Sequence, residues 1–177
     1  MPISWHSSNH EGVNMKTLTL IHVAISLVGI LSGCIVVSGM LTARQLDNWT
    51  KLFLATTVAT SVTGFFFPFH GLTPAVVVGI LSLVPLSVAI FARYTRHLAG
   101  AWRKTYVISA VLALYLNVFV LIVQSFLKIP ALNAIAPTQN DPPFKLTQLV
   151  VLVAFIALGI FAAIRFRNEP APATQPS

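Results

Sequence analysis

Five apolar segments, separated by short polar stretches, dominate the chain. They cover residues 18–41, 52–69, 75–94, 106–127 and 146–164. Each is about 18 to 24 residues long, the length that a helix needs to cross the hydrocarbon core of a bilayer. Strands of a membrane β-barrel would be about ten residues long with alternating polarity, and these segments lack that pattern. The sequence therefore predicts an all-α fold, a polytopic transmembrane helical bundle with five spanning helices.

The pattern also divides the chain into three regions. Residues 1–17 form a polar N-terminal extension, and 18–167 form the five-helix transmembrane domain. Residues 168–177 are rich in proline and small polar residues, which predicts a disordered tail. Translation from Met1 and from Met15 both fit the sequence, and the choice stays open.

The first apolar segment has a second interpretation, as a bacterial lipoprotein signal. From Met15 onward it has a basic start, an apolar core and small residues before Cys34. The apolar run continues through 35–41, however, whereas a processed lipoprotein turns polar after its cysteine. We therefore expect the segment to be retained as a helix. Cys34 is the only cysteine, which excludes an intramolecular disulfide.

Proline and glycine mark the connections between segments. Pro68, Gly71 and Pro74 surround the link between the second and third segments, which predicts a tight helical hairpin. The last connection contains 136–144, which is too rich in proline for a regular helix. We expect this connection to be an amphipathic loop that folds over the helix ends.

The amino-acid composition supports the assignment to the class of membrane proteins. Apolar residues make up 56% of the 177 and charged residues 8%, against about 25% charged in an ordinary soluble domain. A surface of this kind needs lipid to cover it. The net charge of +7 does not indicate nucleic acid, because the cations lie in short tracts between apolar segments.

The distribution of these cations predicts the orientation of the protein in the membrane. Three lie on one set of flanks: Lys16, Lys128 and Lys145. Eight lie on the opposite set: Arg44, Lys51, Arg93, Arg96, Arg103, Lys104, Arg165 and Arg167. Positively charged loops stay in the cytoplasm, so the N-terminus is predicted to be outside and the C-terminus cytoplasmic. The predicted location is a bacterial inner membrane.

Four of these cations lie beside two interfacial aromatic residues, Tyr94 and Trp102. Aromatic side chains settle at headgroup depth and basic side chains attract anionic lipid. Besides the lipid bilayer itself, the predicted partners are therefore anionic headgroups at Arg93, Arg96, Arg103 and Lys104. A membrane protein partner is a further expectation.

The first segment carries a histidine on a face of small residues. His22, Ser26, Gly29 and Gly33 follow at helical spacing and form one stripe. Glycines four residues apart predict close packing against another helix. An ionisable side chain within a span is unfavourable unless it faces protein or water, so His22 marks a candidate site.

Other polar residues fall near the same membrane edge in the predicted topology. His70 ends a stripe of threonines on the second segment. The candidate pocket-lining residues are Asn117, Gln124 and Gln148. Together they predict an outward-facing polar pocket, with His22 and His70 as candidate cofactor-binding residues.

Two explanations of these residues remain open. Polar side chains within a bundle are ordinary interhelical hydrogen-bonding groups. A histidine pair on neighbouring helices also suits haem b, a quinone carbonyl or a proton relay. A metal site is short of ligands, because no acidic residue lies in any span, and a triad has no buried acid to orient its base. The enzyme question stays open, with the balance against catalysis.

Two short segments are distinctive: Phe66-Phe67-Pro68-Phe69-His70-Gly71 and Asn140-Asp141-Pro142-Pro143-Phe144. In these segments and in the order of its helices and loops, the chain resembles an uncharacterised family of small bacterial multi-span inner-membrane proteins. The resemblance implies a helical membrane protein and no activity. The sequence thus favours a non-catalytic accessory or assembly module. The alternatives are a haem b- or quinone-binding redox module and a small-solute or proton carrier.

Overall fold

The computed structural model describes residues 8–65 and 74–166 of the chain. In this part of the chain the secondary structure is entirely helical. The elements are α1 (Ser8–Leu41), α2 (Asp47–Gly64), α3 (Pro74–Ile90), a π-helical segment (Phe91–Thr95), α4 (Trp102–Lys128), α5 (Pro130–Ile135) and α6 (Pro142–Arg165). The predicted all-α class is confirmed.

Four of these helices are long and apolar enough to cross a membrane. Their apolar stretches are Met15–Leu41, Val77–Thr95, Trp102–Lys128 and Pro142–Arg165. The protein is therefore a multi-pass membrane protein in its architecture. The predicted second span corresponds to α2, whose described residues fall short of this hydropathy because Asp47, Lys51 and several threonines dilute the apolar ones. That predicted span continues to residue 69, outside the described residues.

The first four helices form a ring in which each contacts the next. α1 packs on α2, α2 on α3, α3 on α4, and α4 closes the ring against α1. α6 lies outside this ring and contacts α4 and α1. Its packing on α4 is antiparallel: Tyr115 meets Phe155, with 5.6 Å between ring centroids, and Phe126 meets Phe144 near the other end of the interface.

Apolar side chains divide between the inside of the bundle and its outer surface. Tyr106, Phe53 and Met40 are each 1% exposed and lie in the largest core cluster of the described residues. Only 6% of the apolar stretch of α6 is buried, so most residues of this helix are at least partly exposed. Lipid is the solvent that such a surface requires.

The helix bounds differ from the predicted ones at two places. α1 begins at Ser8, so residues 8–17 of the predicted polar extension continue the first helix. α6 begins at Pro142, which corrects the expectation that 136–144 is non-helical throughout. Proline is favourable in a first turn because its missing N–H would have no helical partner there. The predicted hairpin turn and the predicted tail lie outside the described residues.

The connection between α4 and α6, predicted as an amphipathic loop, is partly helical. It contains the short helix α5, which contacts α4. Ala136 is buried in a small apolar cluster with Phe126 of α4 and Phe144 of α6. Asp141 closes the turn before α6 by accepting hydrogen bonds from the N–H and the hydroxyl of Thr138, at 2.7 and 2.9 Å.

Candidate functional site

The stripe of His22 packs against the threonine stripe of α2. The Nδ1 atom of His22 lies 2.9 Å from Thr63 Oγ1, and one turn further Ser26 Oγ lies 3.4 Å from Thr60 Oγ1. Residue numbers rise on α1 while they fall on α2, so the two helices are antiparallel. We call this contact, with its extension to α4 described below, the polar seam.

The glycines of the stripe allow this close approach. A Cβ atom built at Gly29 would lie 3.2 Å from Thr56 Oγ1. At Gly33 it would lie 2.6 Å from a methyl carbon of Leu114 and 2.9 Å from the ring of Phe53. The prediction that this face packs closely against other helices is confirmed.

The hydrogen bonds of Thr63 favour one tautomer of His22. The Thr63 hydroxyl donates to the carbonyl of Ala59 at 2.7 Å, one turn back on its own helix. A hydroxyl has one proton, so with that proton on the Ala59 carbonyl the Thr63 oxygen accepts from His22, which favours the tautomer with hydrogen on Nδ1. In neutral His22 the Nε2 atom is then the hydrogen-bond acceptor or ligand atom.

Asn117 extends the polar seam to α4. Its Nδ2 atom donates to Thr57 Oγ1 at 3.4 Å, and Thr57 is fully buried. Gln124 lies seven residues later, on the same face of α4, and is half-buried. Two of the predicted pocket residues therefore lie on the face of α4 that turns toward α1 and α2.

Gln148 belongs to a different contact. Its Nε2 atom donates to the carbonyl of Phe119 at 3.3 Å, between α6 and α4. Gln148 thus contacts the backbone of α4 rather than a side chain of the polar seam. Among the described residues, the Oε1 atom of Gln148 is buried without a hydrogen-bond partner. The candidate cofactor-binding residue His70 lies outside the described residues.

A cleft that the sequence analysis missed lies at the opposite end of the bundle. It has a volume of about 270 Å³ and is lined by Gln45, Asp47, Lys51, Arg93, Tyr94, His97 and Leu98. We call it the basic cleft. It brings the start of α2 together with the π-helical segment and the turn that follows it.

Arg93 is held firmly within this cleft. Its guanidinium donates to Asp47 Oδ1, and the Arg93 side chain is 10% exposed while that of Asp47 is 66% exposed. The guanidinium carbon also lies 5.4 Å from the centre of the buried Tyr106 ring, in cation–π geometry. The Arg93 guanidinium thus contacts both the aromatic ring of Tyr106 and the carboxylate of Asp47.

An irregular backbone positions Arg93. The N–H of Arg96 bonds to the carbonyl of Phe91, five residues back, which widens the end of α3 into a π-helical turn. His97 and Leu98 then take positive φ angles of 47° and 57°, which are uncommon for residues with side chains. Leu98 is buried, so the turn is held in place by its apolar side chain.

Of the four predicted headgroup cations, only Arg93 lines the cleft. Arg96 lies over the ring of Trp102 with 5.2 Å to its centroid, and Arg103 and Lys104 are in the first turn of α4. The sequence did contain a signal for the cleft. Among the described residues, Asp47 is the one carboxylate near the set of eight cations at this end of the chain's helices. A single acidic residue among cations indicates an ion pair.

Comparison with known proteins adds no relative to this picture. No protein-family model, curated protein or solved structure matches the chain.

Proposed function

We propose that this protein is a non-catalytic accessory or assembly module of a bacterial inner membrane, which acts through another membrane protein. In this proposal the chain crosses the membrane five times, with α2 and the residues after it as the second span. The N-terminus is outside and the C-terminus is in the cytoplasm, as the positive-inside rule requires.

The observation that carries the proposal is the polar seam. Its side chains form hydrogen bonds with one another and with their own helices: His22 with Thr63, Ser26 with Thr60, and Asn117 with Thr57. Interhelical bonds of this kind stabilise a bundle by about 0.6 to 2 kcal/mol each. A catalytic nucleophile would instead need a base and an orienting group aimed at a substrate. The seam supports a role in holding the bundle together.

Site-specific photocrosslinking in native membranes tests the proposal. A photoreactive residue replaces Val153, which is exposed on α6, and a matched probe replaces Leu31, which is exposed on α1. An accessory module gives one adduct of constant mass with a second membrane protein from Val153. Lipid adducts alone from both positions, with the protein migrating as a lone chain in mild detergent, would contradict the proposal.

A second candidate, haem b or quinone binding, has one observation in its favour. The bond to Thr63 holds the His22 ring at its Nδ1 atom, as a hydrogen bond to one ring nitrogen orients metal-bound histidines. His22 is the candidate ligand among the described residues, and His70 is proposed as its partner.

The absorption spectrum of the purified protein from haem-replete cells tests this alternative. Haem ligation predicts a Soret band that His22→Ala and His70→Ala abolish and that His97→Ala, at the opposite end, leaves unchanged. A colourless folded protein rules out haem. Organic extraction followed by mass analysis tests for bound quinone in the same sample.

A further inference from the structure

We propose that the basic cleft binds a phosphate group, with Arg93 and Lys51 as its cationic contacts. When phosphate is absent, the carboxylate of Asp47 takes its place as the anion that pairs with Arg93. This inference is independent of the polar seam and of the proposed accessory role, since it concerns the opposite end of the bundle.

The charges of the cleft favour an anion. Two permanent cations, Lys51 and Arg93, line it against one carboxylate, Asp47, which leaves one positive charge uncompensated. His97 lines it as well. The volume of about 270 Å³ lies just below the range of about 300–1,000 Å³ typical of small-molecule sites, and therefore suits a small group.

Arg93 has the properties of a preformed phosphate contact. A guanidinium has five N–H donors in a fixed fork that matches phosphate geometry, and Asp47 engages one of its terminal nitrogens. The Tyr106 ring under the guanidinium and the irregular turn behind it keep the side chain in place. A rigid donor loses little entropy on binding.

Asp47 is suited to being displaced. Its side chain is 66% exposed, whereas that of Arg93 is 10% exposed, so the carboxylate can turn to water while the guanidinium stays. A phosphate in the cleft would replace a partner that is easily hydrated. Asp47 therefore weakens phosphate binding by competition, and its removal must strengthen it.

The depth of the cleft favours a lipid as the source of the phosphate. Exposed Tyr94 lines the cleft and exposed Trp49 lies near the start of α2, and such side chains settle at headgroup depth. A phosphate at this depth is that of a phospholipid headgroup, and the uncompensated positive charge of the cleft favours an anionic one. A soluble phosphate offers the same chemistry, so the test includes both.

Lipid titration of the full chain in detergent, followed by native mass spectrometry, measures the binding. The probes are phosphatidylglycerol, phosphatidylcholine and inorganic phosphate in separate titrations. Retention of phosphatidylglycerol in preference to the other two identifies a headgroup. Competition by inorganic phosphate at equal affinity identifies a soluble phosphate as the ligand. Failure of both phosphatidylglycerol and inorganic phosphate to bind overturns the proposal.

Two matched lysine variants locate the site. Lys51→Gln removes a cation that lines the cleft, and Lys104→Gln removes one exposed at the same end but outside it. We expect Lys51→Gln to weaken phosphatidylglycerol binding about fivefold, the equivalent of about 1 kcal/mol per cation. Lys104→Gln should leave it within twofold. Equal losses in both variants would mean unspecific attraction and would overturn the proposal.

Asp47→Asn should change the affinity for phosphatidylglycerol in the opposite direction. It should strengthen binding severalfold, because Arg93 loses its internal competitor. Unchanged or weaker binding overturns the assigned role of Asp47.

Arg93→Lys keeps the charge and loses the planar set of guanidinium N–H donors, so it should weaken binding. Because Arg93 is largely buried, a folding defect in that variant leaves Lys51→Gln and Asp47→Asn as the deciding measurements.

Discussion

Threonine hydroxyls on α2 perform two tasks at once. Thr56 and Thr63 donate to carbonyls of their own helix at 2.7 Å, and their oxygens remain available to α1. A hydroxyl used in this way exposes no unsatisfied donor to an apolar surrounding, which would be unfavourable. At the level of single residues, the polar seam is therefore compatible with a lipid environment.

Replacing Thr63 tests the bond to His22. Thr63→Val keeps the shape of the side chain and leaves Nδ1–H of His22 without its acceptor. We expect a loss of about 0.6–1.7 kcal/mol in the free energy of unfolding, the range measured for interhelical bonds in membranes. Thr63→Ser keeps the hydroxyl and should lose less. The measurement is reversible unfolding in mixed micelles, and equal stability of Thr63→Val and the wild type would contradict the assignment.

At the level of elements, the helices were predictable and their partners were predictable only in part. Runs of about 20 apolar residues indicate membrane helices because few other structures accommodate them. The His22 stripe was interpreted correctly as a packing face because small residues at helical spacing have one main use. The basic cleft was missed because Asp47 and Arg93 are 46 positions apart, and no local pattern connects them.

The end of α1 offers a second test. Arg44 N–H bonds to the carbonyl of Gly39, and Ala43 N–H to that of Met40, which is a Schellman motif. Ala43 has a φ of 57°, where glycine is favoured. Ala43→Gly should raise the free energy of unfolding by about 0.5–1 kcal/mol. The same change at Ala55, inside α2, should lower it by a similar amount. A loss at Ala43 would argue against the left-handed cap.

The contact of α1 with α2 and α4 gives a third test. Gly33→Ala places a methyl group against Leu114 and the ring of Phe53, both buried, and should destabilise the fold by about 1–3 kcal/mol. Gly159→Ala on α6 meets Val111 at an ordinary distance of 3.6 Å and should be neutral or stabilising. Thermal unfolding of both variants in detergent decides, and a neutral Gly33→Ala would mean that α1 lies further from α4.

At the level of the whole molecule, the two ends of the bundle have different characters. The end with His22 and Lys128 is sparsely charged, and the end with Arg93 holds most of the cations. Antiparallel packing of neighbouring helices agrees with a chain that crosses the membrane repeatedly. The two ends therefore lie on opposite sides of the membrane in the proposed topology.

Cysteine labelling tests this topology. In a Cys34→Ala background, Ala99→Cys and Gln139→Cys introduce exposed thiols at opposite ends of the bundle. With the proposed orientation, an impermeant maleimide labels residue 139 in intact cells and labels residue 99 only after the membrane is opened. The reverse pattern would invert the orientation, and labelling of both in intact cells would argue against alternating crossings.

The polarity of α2 has a consequence for how the protein is made. Its described residues are less apolar than those of α1, α4 and α6, and its hydroxyls at Thr60 and Thr63 contact α1. A segment of this kind partitions poorly into lipid when it leaves the ribosome alone. We therefore expect α1 to remain at the insertion machinery until α2 has been synthesised, so that the two helices enter the bilayer together as a pair.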